Sequence, residues 1–361
     1  MTIGENIFDI DTPALWVDLD IMEANIAYLA KRLNQAGVNW RPHIKGIKIP
    51  AIAHKLVDAG GVGVTCAKLG EAEVMAAAGM KDILIANEIV GQKKIRRLVA
   101  LRAHADVMVA VDDLDNVREI SSAASEAGRR IRVLVELNIG MERAGLNPDP
   151  TIVDFVREII LLPGVDFAGL MGWEGHVVGI TDLVEKKRVG EKAIHTLVEM
   201  AEMLRMEGIP VRIVSCGGSG SYTISASIPG VTEIQAGGAI FGDLTYRKWG
   251  AGTEPSLFVM TSVTSHAVPQ RAIVDAGRKS MNCDIAMPYP NNIEGIELTG
   301  LSAEHGILKI SNPIIELKVG DKINFVVGYG DWTVFLYDRL FGVRDGKIEI
   351  VWDIQGRGKL T

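Results

Sequence analysis

Eight short apolar runs, rich in β-branched residues and separated by stretches of helical periodicity, constrain this chain more than any other feature. They are Val38 to Lys45, Val62 to Cys66, Asp82 to Ala86, Asp106 to Val111, Ile131 to Leu137, Asp166 to Met171, Val211 to Ser215 and Glu233 to Ala236. Between them, Pro50 to Ala59, Leu69 to Ala78, Lys93 to Ala103, Leu114 to Ala127, Ile152 to Leu161 and Leu183 to Met206 read as helices. Ahead of them, Met22, Ile26, Leu29, Ala30 and Leu33 recur at helical spacing and stop before Gly37. Parallel strands joined by helical crossovers are buried on both faces, which explains apolar runs without strict alternation. Eight such units predict a parallel (β/α)8 TIM barrel; a doubly wound open sheet is the alternative.

Beyond Gly250 the pattern changes. Leu257 to Ser265, Ala272 to Asp275, Ile296 to Leu301, Ile307 to Ile310, Lys322 to Val327, Thr333 to Tyr337 and Lys347 to Val351 read as short strands without intervening helices, and Asp345-Gly346 is a hairpin signal. This predicts a second, mainly antiparallel β-domain. The extended segment Ala14 to Val17 can join it, so the expected division is a barrel over 21–250 and a β-domain formed by 1–20 with 251–361.

With 361 residues, 48% of them hydrophobic and 23% charged, the chain can fill two cores. A net charge of −7, without a basic run, argues against nucleic-acid binding. Neither a signal-peptide pattern nor an apolar run long enough to span a bilayer is evident, so no membrane partner is expected and the expected location is cytoplasmic. Cys66, Cys216 and Cys283 are odd in number and form no C-x-x-C pair, which fits a reducing compartment without a zinc–thiolate site. Cys66 and Cys216 lie near strand ends, where filling of the core and a nucleophilic role are both open.

In such a barrel the carboxyl ends of the strands face the site. Arg41-Pro42-His43-Ile44-Lys45 closes the first strand, Glu142-Arg143 follows the fifth, and Trp173, Glu174 and His176 follow the sixth. Gly217-Gly218-Ser219-Gly220 follows the seventh and Gln235-Ala236-Gly237-Gly238 ends the eighth, the two positions where these barrels hold phosphate on exposed backbone N–H groups. His43 and His176 are candidate proton carriers because imidazole titrates near neutrality; for His176, hydrogen bonding within its loop is the competing reading.

Taken in order, Arg41 to Lys45, Glu136 to Gly145 (ELNIGMERAG), Cys216 to Tyr222 (CGGSGSY), Thr232 to Gly237 (TEIQAG), Asp275 to Lys279 (DAGRK) and Glu304-His305-Gly306 resemble the D-threonine aldolase and D-serine dehydratase-like family, within the alanine racemase-like group of pyridoxal 5'-phosphate (PLP) enzymes. The resemblance spans nearly the whole chain. It implies that Lys45 carries PLP as a Schiff base, with Lys48 as the local competitor. Arg143 is implied to face the pyridine nitrogen, against an ordinary ion pair with Glu142 or Glu136. Gly217, Gly218, Ser219 and Gly220 are implied to hold the phosphate with help near Gln235 and Gly237, and His43 and Trp173 to lie beside the cofactor.

The family's metal-dependent members carry a His-x-Asp or His-x-Cys pair late in the β-domain. Here Tyr329-Gly330-Asp331 occupies that place. A phenol is a poor ligand for divalent ions, so Asp331 is left as the candidate for Mn²⁺ or Mg²⁺, and Tyr329 is either a proton carrier or an aromatic filler. The resemblance implies a lyase cleaving D-3-hydroxy amino acids to glycine and an aldehyde, acting as a homodimer with the site at the subunit interface. The alternatives are a dehydratase or racemase on the same cofactor, and a non-catalytic PLP-binding protein.

Overall fold

The computed structural model describes residues 3–311 and 317–361. It divides into two compact units: Leu29–Lys45, Pro50–Gly237 and Gly358–Thr361 form one, and Met1–Tyr28, Gly46–Ile49 and Gly238–Arg357 the other.

The chain begins with β1 (Ala14–Asp18) and α1 (Leu19–Gln35). Eight strands follow: β2 (Asn39–Trp40), β3 (Val64–Cys66), β4 (Asp82–Ile85), β5 (Asp106–Val111), β6 (Ile131–Leu137), β7 (Val165–Gly172), β8 (Ile213–Cys216) and β9 (Glu233–Ile234). Between them run α2 (Pro50–Asp58), α3 (Leu69–Ala77), α4 (Gln92–Leu101), α5 (Leu114–Glu126), α6 (Thr151–Leu161), α7 (Leu183–Met206) and the single turn α8 (Tyr222–Ser225). All neighbouring strands are parallel, in the order β2-β9-β8-β7-β6-β5-β4-β3. Isolated bridges Trp40–Gly61 and His43–Thr65 close the ring, which settles the barrel against the open sheet.

The first strand is shorter than its composition suggests. Pro42 has no N–H to give a ladder, so regular pairing stops at Trp40. The chain stays extended on single bonds from Arg41 N–H to the Ile234 carbonyl (2.9 Å), His43 N–H to Gln235 (3.0 Å) and Ile44 N–H to Thr65 (2.8 Å). Inside the barrel, Leu84, Met108, Ala110, Leu134, Ala168 and Met171 form a buried apolar layer, each large side chain contributing about 1.5–3 kcal/mol by leaving water. At the amino-terminal end of the strands, Arg41 donates from Nε to Glu233 (2.8 Å) and from Nη1 to Asp82 (2.7 Å). Arg41 therefore points away from the carboxyl ends and serves the barrel's closure.

The second unit contains α9 (Leu244–Lys248) and strands β10 (Leu257–Val268), β11 (Arg271–Val274), β12 (Tyr289–Pro290), β13 (Ile296–Leu301), β14 (Gly306–Ile310), β15 (Lys322–Val326), β16 (Arg339–Arg344) and β17 (Lys347–Asp353). The order is β13-β14-β11-β10-β1-β16-β17, with β15 paired to β10 and β12. Pairing is antiparallel except between β1 and β16. Trp16 of β1 stacks on Phe258 of β10 at 4.6 Å, within a cluster that includes Val326 and Phe341.

Asp345 and Gly346 both take positive φ (49° and 73°) between Arg344 and Lys347, as a tight two-residue hairpin turn requires. The strand entering that turn is β16, not the expected Thr333 to Tyr337. That stretch lies in short 3-10 turns, Gly330–Trp332 and Val334–Leu336, with Thr333 N–H donating to the Gly330 carbonyl (3.0 Å) and Leu336 N–H to the Thr333 carbonyl (3.0 Å). Its strand-like composition is overridden by burial of Val334. Among the described residues no helix is long and apolar enough to cross a membrane.

Candidate active site

At the end of β2, Lys45 is exposed and its N–H lies 3.4 Å from His43 Nδ1. The backbone of His43 packs so tightly against Gly237 that a side-chain carbon there would come within 2.1 Å of the His43 carbonyl oxygen. Gln235 holds His43 by its carbonyl, while its side-chain amide donates to Ser215 Oγ (3.0 Å), which donates to Glu233 (2.8 Å). The Gln235 side chain is thus committed inside the barrel. In the other unit, Lys48 is buried with φ +60°, its carbonyl accepting the Gly356 N–H at 2.8 Å.

After β8 the chain turns through Gly217 to Ser221. Gly217 has φ +77°, a conformation glycine adopts without strain. A fully buried carboxylate, Glu174, gathers the turn: it accepts from Gly217 N–H (3.2 Å), Ser221 Oγ (2.6 Å) and Ser225 Oγ (2.5 Å). The Trp173 indole lies against Gly218, where a side-chain carbon would meet Cη2 at 2.3 Å. The result is a glycine turn under an aromatic ring, in which the Gly217 N–H is held by Glu174 and the Gly218 N–H by Ser221 Oγ (3.1 Å); a phosphate there would rely on the rest of the turn.

Beyond β6, Arg143 Nη2 donates to Glu136 Oε1 at 3.4 Å, with Arg143 half exposed and Glu136 buried. Glu136 is the partner, of the two considered. Burial, then the neighbouring Glu88 charge, push the Glu136 carboxyl up to about 7, against the opposing pull of Arg143. Across the mouth His176 packs its imidazole over Gly140, Cε1 lying 2.9 Å from where a side-chain carbon would stand. Its Nδ1 is buried without a hydrogen-bond partner, so the loop does not consume the imidazole. Cys66 and Cys216 are buried. Burial, then Glu174 and Glu233, raise the Cys216 thiol well above its usual range, which disfavours a thiolate.

The second unit holds a different cluster. Tyr329 is buried edge-to-face among Tyr246 (5.5 Å), Trp249 (5.8 Å) and Trp332 (5.6 Å). Tyr246 donates to Asp331 Oδ1 at 2.8 Å, and Asp243 accepts from the N–H groups of Gly330 (2.6 Å) and Tyr246 (2.8 Å). Burial, then the Asp331 charge, hold the Tyr329 phenol above its usual range, and burial does the same to Asp243. Gly46 approaches Asp331 so closely that a side-chain carbon would lie 2.1 Å from Oδ1. Among the described residues no three His, Cys, Asp or Glu side chains are grouped to hold a metal ion.

Sequence reasoning passed over Glu88, the anchoring role of Glu174, and Tyr246 with Asp243. Glu88 lies just past the carboxyl end of β4 and was open to the same strand-end argument. Tyr246 and Asp243 carry no local signal, since an Asp before a short helix reads as an ordinary N-cap.

Residues 17–245 match the family model described as alanine racemase, N-terminal domain, and residues 256–343 that of a putative serine dehydratase domain. The chain is 35% identical to a D-threonine aldolase from Arthrobacter sp., over 98% of this chain and 95% of that one. It is 34% identical to a 3-hydroxy-D-aspartate aldolase from Paracoccus denitrificans, over 99% and 94%. The crystal structure of D-threonine aldolase from Filomicrobium marinum superposes with a TM-score of 0.96 at 34% identity, covering 100% and 99% of the two chains. With the order of motifs, the closed barrel and these likenesses together, the chain belongs to the D-threonine aldolase and D-serine dehydratase-like family of alanine racemase-fold, PLP-dependent enzymes.

Proposed function

We propose that this chain is a PLP-dependent carbon–carbon lyase that cleaves D-configured 3-hydroxy amino acids to glycine and an aldehyde. The substrate class follows the aldolase relatives. The observation that supports the reaction type is His176, half-buried after β7, whose Nδ1 has no hydrogen-bond partner; an imidazole so placed can take the proton of a 3-hydroxyl through its other ring nitrogen.

The residues present fit PLP: a glycine cradle closed by Glu174 for the phosphate, an exposed lysine at a strand end, and an arginine over a buried carboxyl. When bound, PLP supplies an electron sink for the pair released at Cα. Lys45 would hold the cofactor through Nζ. The Gly217 to Gly220 turn would receive its phosphate, and Trp173 would shield it from water. Arg143 can only donate, so beside the ring nitrogen it would disfavour protonation there. His176 takes the hydroxyl proton as the Cα–Cβ bond breaks and the aldehyde forms. A proton returned to Cα completes glycine, so no atoms are gained or lost.

The Tyr329 phenol, held protonated, is a poor ligand for a divalent ion, which leaves Asp331, hydrogen-bonded by Tyr246 at Oδ1, as the residue that would hold Mn²⁺ or Mg²⁺ with water and substrate. The chain acts as a homodimer with the site at the subunit interface. Supporting this, Ile285, Met287, Tyr289, Trp332 and Phe335 are exposed on the second unit, an apolar surface of the kind that partners cover.

The test is to incubate the PLP-loaded protein with D-threonine or D-phenylserine, with and without Mn²⁺. Aldehyde release is expected in both conditions. Its absence from both refutes the reading, a 2-oxo acid with ammonia identifies a dehydratase, and loss of chirality identifies a racemase.

A further inference from the structure

Glu136 stands two residues beyond Leu134 on β6 and so faces the lumen above the apolar layer. Glu88, beyond β4, adds its charge to that neighbourhood, with its Oε1 buried and without a hydrogen-bond partner. Arg143 reaches the Glu136 carboxyl from the loop at 3.4 Å. A buried carboxyl beside a second acidic group is costly to ionise, so Glu136 keeps its proton up to about 7. The surroundings add little. β5 contributes Met108, Ala110 and then Asp112, which accepts the Gly145 N–H (2.9 Å); β7 contributes Ala168 and Met171; Glu142 is engaged by Asn138 (3.0 Å).

We propose that Glu136, buried beneath Arg143 at 3.4 Å, positions the guanidinium and sets the charge it presents to the cofactor's ring nitrogen, with Glu88 tuning Glu136. This rests on the reading of Arg143 given above. With its proton in place Glu136 is a neutral partner for Arg143. When the proton leaves, a negative charge lies beneath the cation, the guanidinium is drawn toward it, and the ring nitrogen becomes a better base. Neither carboxyl touches substrate, so both are positioning residues.

The experiment follows the visible absorbance of PLP-loaded protein from acid to alkaline pH for wild type, E136Q, E88Q and R143Q, with the cofactor-to-protein ratio measured in each. Wild type is expected to show a transition near the about 7 reached by Glu136. E136Q should abolish it. E88Q should move it at least about tenfold in proton concentration toward acid, because a neighbouring negative charge is removed. Both should retain the wild-type cofactor ratio and change the pH profile of kcat, with KM for D-threonine little altered. If E136Q fails to load, E88Q alone decides. An unchanged transition in the glutamine variants, with R143Q shifting the band at fixed pH, overturns the proposal and leaves the Arg143 reading standing. A band indifferent to R143Q overturns both.

Discussion

Two clusters, one in each unit, treat their buried polar groups in opposite ways. In the second, Tyr329, Tyr246, Asp331 and Asp243 are packed among aromatic rings and engaged with one another or with backbone N–H groups. In the barrel, His176 Nδ1 and Glu88 Oε1 are buried without partners, and Glu136 is held near neutral titration. An unsatisfied buried polar atom costs about 1–3 kcal/mol. Unpartnered atoms also occur away from the strands' carboxyl ends, at Asn116 Oδ1, Arg132 Nε and Thr253 Oγ1, so it is the position of His176 and Glu88 at those ends that assigns reactivity to the barrel.

This contrast can be broken most severely at Lys45. K45A is expected to lower kcat for D-threonine on the order of 10⁴-fold or more, as loss of a covalent catalytic group does, and to abolish the bound-cofactor absorbance. H176N should cost about 10²–10⁴-fold in kcat while leaving the cofactor absorbance intact. If it costs less than tenfold, the uncommitted imidazole is not the base.

The pH dependence of stability gives a smaller signal. Glu136 in the folded chain has its carboxyl raised from 4.5 to about 7, so the folded state binds the proton more tightly than the unfolded one. Stability therefore falls as pH rises through that window, by up to about 3 kcal/mol if the whole shift is expressed. Urea unfolding of cofactor-free protein at acid and mildly alkaline pH measures this, and E136Q should flatten the slope. The smallest effect is expected for Y329F. Removing one hydroxyl from a satisfied cluster should change kcat/KM less than about fivefold, the worth of one net hydrogen bond, with or without added Mn²⁺. A large loss there would move the proton carrier into the second unit.

The barrel was legible because its period is repeated: strands such as Ile131–Leu137 and helices such as Leu183–Met206 appear with the limits their apolar spacing implies. Where the reading failed, context outweighed propensity. Thr333 to Tyr337 has a strand's composition but lies in turns, and β16 was hidden by Arg339, Gly342 and Arg344. Site residues were legible in proportion to their backbone constraint. The glycines at 217, 218 and 237 announce close approaches that the structure contains. Side-chain direction was not legible: nothing in the sequence says that Gln235 turns to Ser215 or Arg41 to Glu233, because those pairings join separate strands.

Closure of the ring also has a bearing on motion. β6 and β7 pair from Ile131–Val165 to Leu137–Gly172 with one irregularity after Val133, whereas β2 pairs with β9 through Asn39 and Trp40 and meets its other neighbour through isolated bridges at Gly61 and Thr65. The stave that carries Lys45 is thus more lightly fastened than β6 or β7, and local opening begins where few ladder bonds must break. The wall has a seam, and it runs beside the lysine. Amide exchange at Ile44 and Thr65, whose N–H groups bond to Thr65 and Pro42, is the measurement that reports its breathing.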